Sequence, residues 1–125
     1  RATAGQIIEF AGVEDFSSAP LRTFSSGMLA RLAFAVATTC EPDVLLIDEV
    51  MAVGDQDFQI RSRHRIDELL RRGAAVVLVS HVAGTVKELS QRVLWLDRGD
   101  AIAYGHPATV LDAYAAQVDA TQGAA

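Results

Sequence analysis

The stretch Val44-Leu45-Leu46-Ile47-Asp48, followed directly by Glu49, decides the fold of this chain. An apolar run of this length can bury on both faces, as a central strand of a parallel sheet does. Two carboxylates follow at the carboxyl end of the strand, which is the edge where open α/β sheets bind ligands. Asp48 is placed to hold Mg²⁺ or its water shell, and Glu49 to orient or deprotonate an attacking water. The pattern is typical of a nucleotide hydrolase; a strand that runs into a solvated acidic turn is the alternative.

Helices and strands alternate on either side of this strand. Residues 75–79 form a second apolar run, and residues 56–72 between the two runs have the spacing of an amphipathic helix. Strand, helix, strand is the pattern of a parallel α/β sheet. We further predict a helix that ends near Gly12, a loop over 13–24, a short helix over 85–90, a hairpin of strands 93–96 and 101–104, and a last helix over 108–117.

A long apolar helix is predicted over residues 28–39, with Ser25 as its N-cap. Four apolar residues recur at helical spacing and predict its buried stripe, with Phe34 on a neighbouring face: Leu29, Leu32, Ala33 and Val36. The single Cys40 that follows excludes an internal disulfide and favours a reducing compartment. Without a second Cys or a His at metal-ligand spacing, Cys40 is interpreted as a small buried residue.

Composition excludes several classes of protein. The chain has 125 residues, half of them apolar, which suits one globular domain. Its net charge of −5 argues against nucleic acid as the main partner. Acids interleave with the basic residues of one segment, so we interpret that segment as a solvated helix face: Arg61, Arg63, Arg65, Arg71 and Arg72. No apolar stretch is long enough to span a membrane, and the start at Arg1 suggests a piece of a longer protein.

Three motifs stand in a diagnostic order: Phe24-Ser25-Ser26-Gly27-Met28 opening a helix, Asp48-Glu49 closing a strand, and Ser80-His81 closing the next strand. In this order they resemble the ATPase domain of ABC transporters. The first is similar to the family's signature motif, the second to its Walker B motif with the catalytic glutamate, and the third to its H-loop. Asp55, six positions after Glu49, matches the D-loop aspartate, and His81 lies 32 positions after Glu49, a familiar interval for the family. The resemblance covers residues 21–114.

Other details resemble one branch, the ATPase subunits that export O-antigen or teichoic acid. They are Phe-Ser-Ser-Gly-Met, the run from Arg31 to Ala37, Asp48-Glu49-Val50, Ala52-Val53-Gly54-Asp55 and the tail from Trp95 to Tyr114. The resemblance implies a partial P-loop NTPase fold with a RecA-like core, a mostly parallel sheet, a C-terminal hairpin and flanking helices. It also implies a membrane subunit as partner, and a place at the cytoplasmic face of the plasma or inner membrane.

The resemblance assigns a role to each motif. Asp48 would hold Mg²⁺, Glu49 would activate water, and His81 would reach the γ-phosphate and that water. Ser25, Ser26, Gly27 and Met28 would close over ATP held by a second ATPase subunit of a homodimer. Asp55 would cross the dimer interface, although it is also a plausible N-cap for the helix after it. In isolation Ser25-Ser26 would be read as an ordinary helix cap, and a lone His at a strand end as structural.

The sequence departs from the family in three places. Ser26 and Met28 replace the usual Gly and Gln, and Ala52-Val53-Gly54 replaces the usual D-loop residues. The phosphate loop G-x-x-x-x-G-K-[ST] is absent, and Lys87 is the one lysine of the chain. We therefore expect the C-terminal half of an ATPase domain, inactive alone.

We expect the end of a helical subdomain over 1–40, the core elements over 41–119 and a tail over 120–125. The resemblance also places a strand from the other half between the strands at 75–79 and 93–96. Two alternatives are a non-catalytic interaction module and an ABC-type ATPase not involved in transport.

Overall fold

The computed structural model describes residues 3–49 and 54–122 of the chain. These residues form two compact units that divide between Val79 and Ser80. The first unit contains helices α1 (Ala4–Ala11), α2 (Ser26–Thr39) and α3 (Gln56–Arg71), strands β1 (Val44–Asp48) and β2 (Ala75–Val79), and short 3-10 helices over Glu14–Phe16 and Leu21–Thr23. The second unit contains α4 (Ala83–Leu89), β3 (Val93–Asp97), β4 (Asp100–Gly105) and α5 (Pro107–Gln122). The predicted α/β class is confirmed.

The described strands form two separate two-stranded sheets. β1 and β2 pair in parallel, with Val44 opposite Ala75 and Asp48 opposite Val79. β3 and β4 pair antiparallel as the predicted hairpin. Its turn residues Arg98 and Gly99 have φ values of 49° and 93°. Positive φ at both positions is what a two-residue type I′ turn requires, so the hairpin is set by local backbone geometry.

The main core of the first unit lies under one face of the β1–β2 sheet. Its buried members come from α2, β1 and α3: Phe34, Leu45, Ile47, Phe58, Ile66 and Leu69. Three phenylalanine rings meet there, with centroids 6.2 Å apart for Phe10 and Phe34 and 5.9 Å apart for Phe10 and Phe58. Stacked and edge-on pairs at such distances add about 0.5–1.5 kcal/mol each beyond the area they bury. The aromatic contacts thus join α1, α2 and α3.

The prediction that β1 buries both faces is wrong for the described part of the chain. Leu45 and Ile47 are 6% and 4% exposed, but Val44 and Leu46 on the other face are 58% and 74% exposed. On β2, Val77 is 54% exposed on that same face. The physical reason is that the packed helices lie on one side, where Phe34 and Phe58 cover the sheet. We call the exposed side, lined by Val44, Leu46, Val77 and Val79, the open face.

The helix α2 is confirmed, but its predicted buried stripe is wrong. Leu29 and Val36 are 41% and 44% exposed, whereas the buried residues are Phe34, Ala35 and Thr38. Ala35 packs with Ala11 and Val13 in a second small core, so contacts with α1 and the sheet orient the helix. Cys40, which was expected to be buried, is exposed at the C-cap of α2.

Helix ends differ from prediction by a few residues. α2 begins at Ser26, two residues before the predicted start. α5 continues to Gln122 and includes the first residues of the predicted tail. α5 packs on the hairpin through Tyr114 and Trp95, whose ring centroids are 5.4 Å apart. None of the helices within the described ranges is long and apolar enough to cross a membrane.

Candidate functional site

Asp48 and Glu49 stand where the sequence predicted them, at the carboxyl end of β1. Asp48 is the last residue of the strand, opposite Val79 in the parallel register. The Glu49 backbone N–H donates to the Val79 carbonyl oxygen at 2.9 Å, which extends the pairing by one bond beyond Asp48. Both acids are exposed. The sheet thus anchors the backbone of two adjacent carboxylates at the edge where α/β proteins bind ligands.

The backbone of Glu49 is in the left-handed region, with φ of 53°. For a residue with a Cβ atom this conformation costs about 1–2 kcal/mol. Such strain clusters at active sites and switch segments, where the surrounding structure enforces it. Here the pairing with Val79 fixes the residue before the chain turns out of the strand. The four residues that follow, including Val50, Ala52 and Val53 of the family pattern, lie outside the described residues.

The N-terminus of α2 is capped as predicted. Ser25 has extended backbone angles, and its Oγ accepts a hydrogen bond from the Met28 N–H at 3.2 Å. Ser26, Gly27 and Met28 form the first turn, which carries no acidic residue. The first backbone N–H groups of a helix have no partner within the helix, and the helix dipole adds partial positive charge there. The end of α2 therefore favours an anion such as a phosphate group.

Asp55 is the N-cap of α3, as the alternative interpretation of this residue predicted. Its Oδ1 accepts from the Phe58 N–H at 2.8 Å. Gly54 before it has φ of 96°, and a Cβ there would lie 3.0 Å from Phe58 Cδ1 and 3.3 Å from Arg31 Cδ. A side chain at this position would be strained, because the backbone conformation suits glycine and the neighbouring atoms leave little space.

Arg31 joins the capped ends of α2 and α3 and received no role in the sequence interpretation. It lies six residues after the Ser25 cap of α2, and its guanidinium carbon is 6.0 Å from the centroid of the Phe58 ring. Its side chain also lies close to Gly54, since a Cβ atom added there would be 3.3 Å from Arg31 Cδ. The signal in the sequence was its place in the run from Arg31 to Ala37, which was matched to one branch of the family.

His81 belongs to the second unit, in the segment between β2 and α4. It is exposed, and the backbone beside it is ordered by Ser80, whose Oγ accepts from the Val82 N–H at 3.1 Å. Two other histidines lie outside the motifs matched to the family: His64 is exposed on α3, and His106 Nδ1 accepts from the Ala108 N–H at 3.3 Å.

The described residues contain no group of three or more His, Cys, Asp or Glu side chains placed to hold a metal ion. A zinc or calcium cage built by these residues alone is therefore not present within ranges 3–49 and 54–122. Mg²⁺ differs, because it is usually bound by one or two carboxylates, with water and substrate phosphates completing the shell. The exposed carboxylate of Asp48 fits that kind of site.

Comparison with known proteins finds extended similarity in curated sequences. The chain is 45% identical over 109 residues to the ABC transporter protein AbcA of Aeromonas salmonicida, which covers 87% of the chain and 35% of that protein. It is 43% identical over 114 residues to the O-antigen export system ATP-binding protein RfbB of Myxococcus xanthus, covering 91% of the chain and 26% of the relative. It is 42% identical over 108 residues to the teichoic acids export ATP-binding protein TagH of Listeria innocua, covering 86% of the chain and 32% of that protein. The chain thus spans about a quarter to a third of these relatives. No family model matches it.

Solved structures share the fold. An ATP-binding subunit of an ABC transporter superposes with a TM-score of 0.74 at 23% identity, covering 87% of the chain and 45% of that structure. A dimeric ATP-binding cassette with bound ADP and Pi superposes with a TM-score of 0.68 at 20% identity, covering 86% and 50%.

Proposed function

The homologues of this chain are ATP-binding proteins of ABC transporters, and we propose that the chain is part of an ATP-hydrolysing subunit that drives polysaccharide export. The exported material would be of the O-antigen or teichoic acid type, as the names of two relatives state for those proteins. One structural observation carries the proposal: a paired parallel strand presents Asp48 and Glu49, in sequence, at its carboxyl end.

Glu49 is the general base in this proposal. Its carboxylate would accept a proton from the water that attacks the γ-phosphate of ATP, a role that requires placement at the strand end. Asp48 would hold Mg²⁺, which when bound neutralises charge on the phosphates. The hydrogen bond from the Glu49 N–H to Val79 supports this division of roles, because it fixes the backbone between the two carboxylates.

The capped end of α2 would act on ATP held by a second subunit. Ser25 fixes the first turn by accepting from the Met28 N–H. Ser26, Gly27 and Met28 would close over the γ-phosphate across the interface, with the backbone N–H groups of Ser26 and Gly27 facing it. The dimeric cassette among the structural neighbours supports pairing of two such subunits. Asp55 caps α3, and in addition would contact the partner subunit.

His81 would stabilise the γ-phosphate and the attacking water. We assign residues 1–40 to the end of the helical subdomain and 41–119 to the catalytic core elements. A transmembrane permease subunit would be the second partner, and the subunit would sit at the cytoplasmic side of that permease. The words "export system" in the name of one relative support a membrane partner.

The test uses a subunit that contains this sequence together with a phosphate loop. Glu49→Gln should lower the ATP turnover number by at least about a hundredfold, the usual contribution of a general base, with ATP affinity unchanged. Glu41→Gln is the matched control, because Glu41 is also an exposed acid with positive φ, here 48°, and lies outside the site. If the two variants hydrolysed ATP at equal rates, Glu49 would be a structural acid and the proposal would be wrong.

A further inference from the structure

A small cleft lies between α1 and α3, away from the capped helix ends and the end of β1. It has a volume of about 210 Å³ and is lined by Phe10, Arg61, His64, Arg65 and Glu68. The four residues from α3 recur at helical spacing and form one stripe on its surface. The sequence suggested only a solvated helix face for this segment, so the cleft is a feature that the proposed function does not use.

Two arginines of the cleft are held over one aromatic ring. The guanidinium carbons of Arg61 and Arg65 are 5.7 Å and 5.3 Å from the centroid of Phe10. Arg61 is also 6.0 Å from the centroid of Phe58. Such cation–π pairs occur about once per 70–80 residues in proteins, so two on one ring are a local concentration. The ring contacts thus bring both guanidinium groups to the same ring.

Positive charge in the cleft exceeds the negative charge. Glu68 is paired with Arg65 at 3.5 Å, and this pair is partly solvated. Arg61 donates from Nε to the carbonyl oxygen of Asp57 at 3.4 Å, and makes no ion pair with a carboxylate among residues 3–49 and 54–122. The hydrogen bond to Asp57 uses only the Nε–H of Arg61. This local excess is notable in a chain whose net charge is −5.

We propose that this cleft binds a phosphate group. A guanidinium presents paired N–H donors that match the oxygens of phosphate, and Arg61 and Arg65 bring two of them to one place. His64 adds a third donor in a different position on the helix. Donors from three side chains suit a tetrahedral anion better than a carboxylate, which has only two oxygens. The volume of about 210 Å³ is enough for one such group and too small for a folded segment of a partner.

The phosphate could be free, as in inorganic phosphate or a soluble phosphomonoester, or belong to the headgroup of a phospholipid. Both present the same chemistry to the arginines. The site is separate from the proposed ATP contacts: it lies along the middle of α3, whereas Asp55 is at the start of that helix. Its test therefore does not depend on ATP binding or hydrolysis.

The 125-residue chain is titrated with inorganic phosphate at constant ionic strength while the arginine Nε–H signals are followed by NMR. We expect saturable shifts for Arg61 and Arg65, and a dissociation constant that Arg61→Gln weakens at least tenfold. Arg71→Gln is the matched control. It removes the same charge from the same helix, and Arg71 Nε donates to the Asp67 carbonyl oxygen at 3.2 Å just as Arg61 does to Asp57. Its dissociation constant should stay within twofold of the unmodified chain.

Two further variants separate binding from folding. Arg61→Lys keeps the positive charge but lacks the paired N–H donors of a guanidinium. It should bind phosphate with an affinity between those of the unmodified chain and Arg61→Gln. Circular dichroism would reveal whether Arg61→Gln disturbs the fold. In that case Arg65→Gln provides a second variant that should lose phosphate affinity. Shifts that never saturate, or equal losses in Arg61→Gln and Arg71→Gln, would overturn the proposal.

Vesicles identify the source of the phosphate. Arg61-dependent binding to vesicles of phosphatidylcholine with phosphatidic acid, stronger than to free phosphate, would support a lipid headgroup. Equal affinity would support a soluble phosphate ligand. A glutamate-rich peptide that binds the cleft more tightly than phosphate does, measured by its displacement of phosphate, would overturn the assignment in favour of an acidic protein partner.

Discussion

The two faces of the β1–β2 sheet carry the same kinds of side chain in opposite surroundings. Leu45 and Ile47 are 6% and 4% exposed, while Leu46 between them is 74% exposed. The alternation of a strand decides which residues share a face, but not which face is covered. Helix α3 and the phenylalanine rings determine which face is covered, because among the described residues they pack on one side only. An apolar strand therefore indicates that a sheet exists, and contacts distant in sequence determine where the core lies.

The largest expected effect is at Ile47. Ile47→Ala should lower the free energy of unfolding by about 2–5 kcal/mol, because it removes buried methyl groups and leaves a cavity beside the rings. Leu46→Ala, the matched change on the open face, should change it by no more than about 0.5 kcal/mol. Urea denaturation measures both. Equal losses would mean that the open face is covered in solution, and that the two faces do not differ.

The open face should make the chain associate. Its exposed members are all large apolar residues, and the outer edges of β1 and β2 have no strand partner in the part of the chain that the structure describes. Exposed apolar patches beside such edges favour contact with a second molecule. We expect sedimentation at micromolar concentration to show a dimer or a larger assembly. Leu46→Gln combined with Val77→Gln should weaken association at least tenfold, about 1.4 kcal/mol, with little change in the fold. If the unmodified chain sediments as a monomer, this prediction is wrong.

A smaller effect is expected at the start of the helix that covers the buried face. Asp55→Ala removes the side chain that accepts from the Phe58 N–H, and should lower the free energy of unfolding by about 1 kcal/mol. Asp55→Asn keeps an acceptor of the same shape and should have almost no effect on thermal unfolding. A loss in Asp55→Asn as large as in Asp55→Ala would show that the negative charge, rather than the cap, stabilises α3.

The smallest effect is expected at Ser62, on the covered side of α3. Ser62 is 1% exposed, and its Oγ has no hydrogen-bond partner among the described residues. Ser62→Ala should leave stability unchanged or raise it by up to about 1 kcal/mol, because a buried unpaired hydroxyl is unfavourable. Thr38→Val is the contrasting variant: Thr38 Oγ1 donates to the Phe34 carbonyl oxygen at 2.8 Å, so losing that hydroxyl should destabilise. Calorimetry gives the melting temperature of each variant. A lower melting temperature for Ser62→Ala than for Thr38→Val would contradict this prediction.

Features set by neighbouring residues could be predicted from the sequence. The caps at Ser25 and Asp55, the strand β2 and the hairpin turn at Arg98-Gly99 all depend on short-range backbone chemistry, and each is confirmed. The position of Asp48 and Glu49 at the end of a strand was predictable for the same reason.

Features set by packing were not predictable. The buried stripe of α2 was placed wrongly because Ala35 and Phe34 meet α1 and the sheet, not the residues next to them. Cys40 was expected inside because free cysteines are often buried, but it falls at the end of a helix. Arg61 is exposed, as the prediction of a solvated helix face implies, but its contact with Phe10 was not predictable because that ring belongs to another helix.

If Glu49 is the general base that we propose, its left-handed backbone places stability and catalysis in conflict at one residue. With φ of 53°, the position favours glycine or asparagine, which adopt this conformation at little cost. A library selected only for resistance to unfolding should therefore enrich glycine at position 49, while a library selected for turnover should retain glutamate. Natural proteins commonly carry such conflicts at the residues on which activity depends. Deep mutational profiles scored for abundance and for activity should diverge more sharply at position 49 than at its neighbour Asp48.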